Sequence, residues 1–332
     1  MNRTVMISTL RLFAAAASLA TLASVVTPAT AQTAWPSKQV RIVVPYAAGG
    51  TSDAAARLLA DKLKLALGQT FIVEDRPGAS GTTGMDALAK SVPDGSTLAF
   101  AAISPLTLSP HLQRVPYDPL KDVIPAAQVM YSPVYLVATS AFEGKTFADV
   151  ITQAKARPGQ ISVATSGTGS VGHVMLEQIS RRAGVSFNHI PYKGGGQVVN
   201  DAAGAHFDLF TTNPSPSVNS LIAQGKLRVL AVAAPQRLPA FPDAPTFTEL
   251  GHPDANLNSL FGIFAPAHTP PETLARINAA INALLADPDV QTRLTNLDNI
   301  VSPASTDAFR MRVEREFGAN AKVVKEAGIQ AD

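Results

Sequence analysis

The chain has 332 residues, 46% of them hydrophobic and 16% charged, with 27 Lys and Arg against 25 Asp and Glu and no cysteine. That length and apolar content suit two ordinary domains, each with its own core, and exclude a disordered or polyelectrolyte chain. The missing cysteine excludes a disulfide framework, a thiolate nucleophile and a thiolate metal site.

Arg3 and Arg11 precede an uncharged run from Leu12 to Val26, which leads to Ala29-Thr30-Ala31 just before Gln32. A positive start, an apolar stretch and a small-x-small terminus predict a signal peptide over residues 1–31, cut after Ala31. The run is rich in Ala, Thr and Ser and shorter than the roughly 20 apolar residues a membrane span needs. Cleavage removes two of the 27 basic residues and no acid, leaving a formally neutral chain. A nucleic-acid partner then loses its electrostatic basis. The mature protein is expected free in the periplasm, with no cysteine available for a lipid anchor.

Along the mature chain, short β-branched runs alternate with helical spacing. Val40–Val44 predicts a strand, Ala54–Leu67 a helix, Phe71–Val73 a strand, the stretch through Met85–Leu88 a helix, and Thr97–Phe100 a strand. The pattern restarts after a helix over Phe147–Ala156, which Pro158-Gly159 stops. Ile161–Ala164, Phe187–Ile190 and Phe207–Phe210 read as strands, separated by helices over Val171–Arg182 and Gln197–Ala203. Two βαβαβ units of one plan therefore lie at about 39–104 and 161–213, an arrangement that requires parallel strands and crossover helices. Strand-like Val129–Thr139 and Leu227–Ala234 join them. Residues 32–132 with 234–332 are expected as lobe one and 133–233 as lobe two. Past Pro235, Pro239, Pro242 and Pro245, a strand at Phe261–Phe264 and two C-terminal helices close the chain, the first starting at Thr269-Pro270-Pro271-Glu272 and the last over Thr306–Ala327.

Ligands of open α/β sheets bind beyond the carboxyl ends of the strands. There the first strand of each unit runs into a loop of glycines and hydroxyls without Lys or Arg: Pro45-Tyr46-Ala47-Ala48-Gly49-Gly50-Thr51-Ser52-Asp53 and Thr165-Ser166-Gly167-Thr168-Gly169-Ser170. With Ser52 or Asp53 as the helix cap, free amides at the helix start favour an anion. Such loops hold a carboxylate by amides and hydroxyls rather than by a cation, and added bulk at Gly49 or Gly169 is expected to fill the ligand's approach.

Other motifs compete for the same residues. Gly167-Thr168-Gly169-Ser170-Val171-Gly172 fits the dinucleotide fingerprint, but Phe187-Asn188-His189-Ile190-Pro191-Tyr192 lacks the ribose-binding acid. A nucleophile elbow around Ser170 fails because Thr168 replaces its first glycine. None of the six histidines has a zinc-motif partner. Asp53 and Arg57 read as a helix pair, and His173 either touches a ligand or braces its loop. No cofactor, metal or catalytic constellation is predicted.

Trp35-Pro36-Ser37-Lys38 through Asp53 resembles the start of the Bug family, TctC-like solute-binding proteins of tripartite tricarboxylate transporters. The resemblance continues through Val73-Glu74-Asp75-Arg76-Pro77-Gly78, Pro93-Asp94-Gly95, Pro116-Tyr117-Asp118-Pro119, Ser166–Ser170 with His173, Ile190-Pro191-Tyr192-Lys193-Gly194 and Phe261-Gly262-Ile263-Phe264-Ala265-Pro266. It implies an α/β, two-lobed periplasmic binding fold closing on a small organic carboxylate. The implied contacts are Tyr46, Ala48, Gly49, Gly50, Thr51, Ser52 and Asp53 in lobe one and Ser166, Gly167, Thr168, Gly169, Ser170 and His173 in lobe two. Ser104 is a further candidate. Thr212-Asn213 stands where the family usually carries Asp-Asn, which disfavours amino-acid ligands. The implied partners are membrane transporter subunits, or a sensor protein as the alternative, and the chain is expected to be monomeric.

Overall fold

In the computed structural model, which describes residues 35–328, the first unit folds around its earliest strand. The expected signal peptide lies outside the described residues. Strand β1 (Val40–Val44) leads through α1 (Thr51–Leu67), β2 (Phe71–Asp75) and α2 (Thr82–Ala89) to β3 (Thr97–Ala102). β1 pairs in parallel with both β2 and β3, so it is the central strand of the three. Helix α1 turns Ala55, Ala56, Leu59, Ala60 and Leu63 onto the sheet and stops at Gly68, whose left-handed conformation suits a residue without Cβ.

Two short helices, α3 (Ser104–Thr107) and α4 (Ser109–Leu112), follow, and then β4 (Val123–Ser132) and β5 (Val134–Ala138). Pro133 separates these strands, and its missing N–H ends the ladder there. β4 stays in the first sheet while β5 enters the second. The second unit runs α5 (Phe147–Ala156), β6 (Ser162–Thr165), α6 (Val171–Ala183), β7 (Asn188–Pro191), α7 (Gly195–Ala203) and β8 (Leu209–Thr212). Its central strand is β6, parallel to β7 and β8, which repeats the plan of the first unit. Helix α8 (Pro216–Ala223) and strand β9 (Arg228–Ala233) complete that lobe, and β10 (Ser259–Pro266) returns to the first. The chain ends with α9 (Pro271–Leu285), α10 (Pro288–Thr295), β11 (Ile300–Val301) and α11 (Thr306–Ala327).

Among the described residues the sheets are ordered β11-β4-β10-β3-β1-β2 and β7-β6-β8-β5-β9. Each is covered on both faces. Leu136, Val163 and Leu209 point into one core of the second lobe, and their chain neighbours Tyr135, Ala164 and Phe210 into the other, as strand periodicity requires.

Two expectations need correction. Among the described residues the C-terminal part holds three helices rather than two, because Asp287 starts α10 by accepting the amide of Asp289 at 2.8 Å, directly before Pro288. The segment after Ala233 was expected in lobe one. It packs on lobe two instead: Leu238 and Ala244 join one of its cores, Phe247 and Ala255 the other, and Thr246 bridges to Val232. Proline-rich composition marked that segment as irregular but could not say which sheet its apolar residues would cover.

Candidate functional site: the cleft between the lobes

Loop one joins β1 to α1. Its N-cap is Gly50, extended at φ −86°, ψ 179°, and no side chain caps the helix. Ser52 and Asp53, expected as caps, lie inside the first turn. The opening amides of α1 therefore have no side-chain acceptor and are available to an anion. Asp53 is engaged behind the loop: Oδ2 accepts the Gly49 amide at 2.9 Å, and Arg57 Nε lies 2.6 Å from Oδ1. Arg57 also reaches Asp75 at 3.0 Å. Gly49 has φ +83°, and a Cβ there would meet nothing within 4 Å. That left-handed conformation alone favours glycine at this position.

Loop two joins β6 to α6 and is closed on itself. Ser170 is the N-cap, its Oγ accepting the His173 amide at 3.2 Å. The Gly169 amide donates to His173 Nδ1 at 3.2 Å, and the Gly167 amide to Thr165 Oγ1 at 3.1 Å. His189 Nε2 lies 2.8 Å from the same Thr165 hydroxyl, and the two imidazoles stack with centroids 4.3 Å apart. His173, 2% exposed, thus braces the loop. The dinucleotide-like glycines have structural work here. Gly167 and Gly169 have φ +125° and +81°, and a Cβ at Gly172 would overlap the Thr211 hydroxyl.

The lobes meet across these loops. Thr51 Oγ1 donates to Pro214 O at 2.6 Å, and Ser80 Oγ to Thr168 O. A Cβ at Gly196, in the first turn of α7, would overlap the Ala48 carbonyl oxygen. Between the lobes remains a cavity of about 60 Å³. Of the predicted contacts, Tyr46, Gly50, Thr51, Ser52, Ser104, Ser166, Ser170, Thr212 and Asn213 line it. Ala48, Gly49, Asp53, Gly167, Thr168, Gly169 and His173 lie outside its wall, where several of them hold the loops in shape.

The wall also contains residues that loop reading missed. Ser80 comes from the turn before α2, Thr211 from the end of β8, Gly195 from α7, and Val134, Ser259 and Phe261 from the strands that pass between lobes. Only the equivalence of third-strand ends, which singled out Ser104, could have pointed to Thr211. No lining residue carries a charge. Burial pushes the Tyr46 phenol up, against the opposing effect of the Ser104 hydroxyl and Ala102 backbone beside it, so it remains a neutral donor. Asn213 has a second duty: its Nδ2 donates to Pro133 O at 2.8 Å and to Ser259 Oγ at 3.0 Å, tying the end of β8 to both crossing strands.

Among the described residues, no group of three or more His, Asp or Glu could hold a metal ion, and no helix is long and apolar enough to cross a membrane. Residues 55–329 match the family described as "Tripartite tricarboxylate transporter family receptor". The chain is 34% identical to Protein BugT of Bordetella pertussis (strain Tohama I) over 332 residues, covering 99% of each. Among solved structures, "R. palustris Rpa4515 with adipate" matches with TM-score 0.85 and 31% identity over 90% of this chain and 100% of that one. "MatC (Rpa3494) from Rhodopseudomonas palustris with bound malate" matches with TM-score 0.82 and 30% identity over 87% of this chain and 100% of that one.

Proposed function

The chain belongs to the family of tripartite tricarboxylate transporter receptors, TctC, and from that premise we propose that it captures a small organic carboxylate between its lobes and delivers it to the membrane subunits of such a transporter. It is a receptor and not an enzyme. It works as a monomer in the periplasm after its signal peptide is cut behind Ala31. Lobe one is built on the sheet of β1 and lobe two on the sheet of β6, with Pro133 and the stretch before β10 as the hinge.

The observation that carries this reading is the composition of the cleft wall: hydroxyls, an uncapped helix start and no charged side chain. Such a wall can solvate one carboxylate by hydrogen bonds from both lobes. Each charge-assisted bond contributes about 1.5–3 kcal/mol net. Four or five therefore support binding near −8 kcal/mol, about micromolar, after ordering costs. Closure excludes water and strengthens each of these bonds. The adipate and malate of the two solved relatives are themselves small organic carboxylates, which supports the same ligand class.

Thermal unfolding tests the proposal. The mature protein, refolded to strip carried ligand, is heated with mono-, di- and tricarboxylates, aromatic acids, amino acids and NAD(H). A rise confined to carboxylates is expected, and a ligand at about 100 times its Kd adds roughly 2.7 kcal/mol. A response to NAD(H) alone, or to no acid at all, overturns the reading.

A further inference from the structure

Six hydroxyls of the cleft wall have partners within the protein. Thr51 bonds Pro214 O, Ser80 bonds Thr168 O and Thr212 bonds Asn213 O. Ser170 and Ser215 cap helices, and Ser259 bonds Asn213 Oδ1. The Tyr46 and Thr211 hydroxyls are different: neither finds a hydrogen-bond partner among the described residues, although Ser104 lies beside Tyr46. Thr211 lines the cavity at the end of β8 and is 2% exposed. The room for that hydroxyl comes from α6. A Cβ at Gly172 would overlap Thr211 Oγ1, so the last glycine of the Gly167–Gly172 motif leaves the hydroxyl its place.

A buried hydroxyl without a partner is unfavourable, and a polar atom on a bound molecule relieves it. With the ligand's carboxylate assigned to the amides and hydroxyls of the loops, Thr211 at the end of β8 is left for a second polar group of the ligand. On the reading of this cleft as a carboxylate site, we propose that Thr211 is a specificity-determining residue: its hydroxyl is held for a hydroxyl or keto oxygen on the ligand. The preferred ligand is then a small hydroxy- or oxo-carboxylate, bound by its carboxylate at the loops and read by Thr211 at its substituent. A threonine hydroxyl both donates and accepts, so it serves either substituent.

The test pairs side-chain variants with matched acids. Thr211→Val replaces the hydroxyl by a methyl group, Thr211→Ala removes it without adding bulk, and Thr211→Ser keeps it. Each refolded mature protein is titrated calorimetrically with lactate, pyruvate and propionate, and with malate and succinate. Wild type and Thr211→Ser are expected to favour the substituted acid of at least one set by about 10- to 100-fold. Thr211→Val and Thr211→Ala should bind the members of that set alike. A preference that survives in Thr211→Val and Thr211→Ala, or that wild type lacks, overturns the role of Thr211 while leaving the receptor reading intact. Silence toward these five acids overturns the role of Thr211, and silence across the wider acid panel overturns the receptor reading as well. In the ligand-free protein, Tm should be unchanged or higher in Thr211→Val; a clear fall in both Thr211→Val and Thr211→Ala would show that the hydroxyl serves the fold, against the proposal.

Discussion

The two glycine loops stand at equivalent places, each after the central strand of a βαβαβ unit and each opening a helix. Their polar groups are used in opposite ways. In loop two, Ser170 caps α6, His173 accepts the Gly169 amide, and Thr165 accepts that of Gly167. In loop one, α1 starts at Gly50 without a side-chain cap, and Asp53 takes only the Gly49 amide behind the loop. One loop is a braced jaw and the other an open row of donors. The N-cap residue makes that difference. A serine oxygen occupies an amide that a glycine leaves for an anion, at a helix end whose dipole already favours negative charge.

The largest effect should come from keeping the jaws apart. Gly196→Ala places a methyl group against the Ala48 carbonyl, a contact that arises only where the lobes meet. Carboxylate affinity by calorimetry is expected to fall roughly 100-fold or more, because the closed state is no longer reached, while the ligand-free Tm changes little. Unchanged affinity would mean that loop one does not need to seat against α7.

Making loop one resemble loop two tests the comparison itself. The backbone of Gly50 suits any residue, and its Cβ would come no closer than 3.4 Å to Gly196 N. Gly50→Ser supplies the missing cap, so stability in urea should rise by a few tenths of a kcal/mol. Affinity should fall about tenfold, the worth of one hydrogen bond near 1.4 kcal/mol. If affinity holds, the amides of α1 take no part in binding. The reverse change, Ser170→Ala, should lower stability by about 1 kcal/mol and weaken binding less than Gly50→Ser does.

The smallest effect concerns the carboxylates behind loop one. Burial first, and then the charge of Asp53, raise the Asp75 pKa from its ordinary value, with Arg57 opposing. The folded protein then holds this proton to higher pH than the unfolded chain does. Its contribution favours the native state at low pH and is lost as pH rises through the folded value. Asp75→Asn removes that dependence. The stability of the variant relative to wild type should therefore climb with pH above roughly 4, the ordinary carboxylate value. A flat difference across that range would show that Asp75 titrates normally.

The legible parts of the molecule were those governed by neighbours in the chain. Helix α5 runs over Phe147–Ala156 as its spacing predicts, because Thr146 and Asp149 form a capping box within one turn. α11 runs over Thr306–Ala327 as predicted, with Ser305 as its cap. Both glycine loops were visible for the same reason. Helix α10 was missed because its short apolar pattern, Val290 and Leu294, is weaker than the Pro288 that precedes it, although proline at a first turn starts helices as readily as it stops them. The cap of α1 was misassigned because serine and aspartate outrank glycine there in general, and only the backbone could show Gly50 in the extended position.

By itself the sequence determined two parallel α/β units and, at equivalent strand ends, two loops of glycines and hydroxyls without Lys or Arg, since periodicity and residue type are local properties. Tertiary structure alone decided which hydroxyls have partners. It joined Asn213 to Pro133 and Ser259, left Thr211 without a partner among the described residues, and laid residues 234–255 over the second lobe. Hydrogen-bond satisfaction depends on which atoms packing brings within about 3 Å, and those atoms come from strands far apart in the chain.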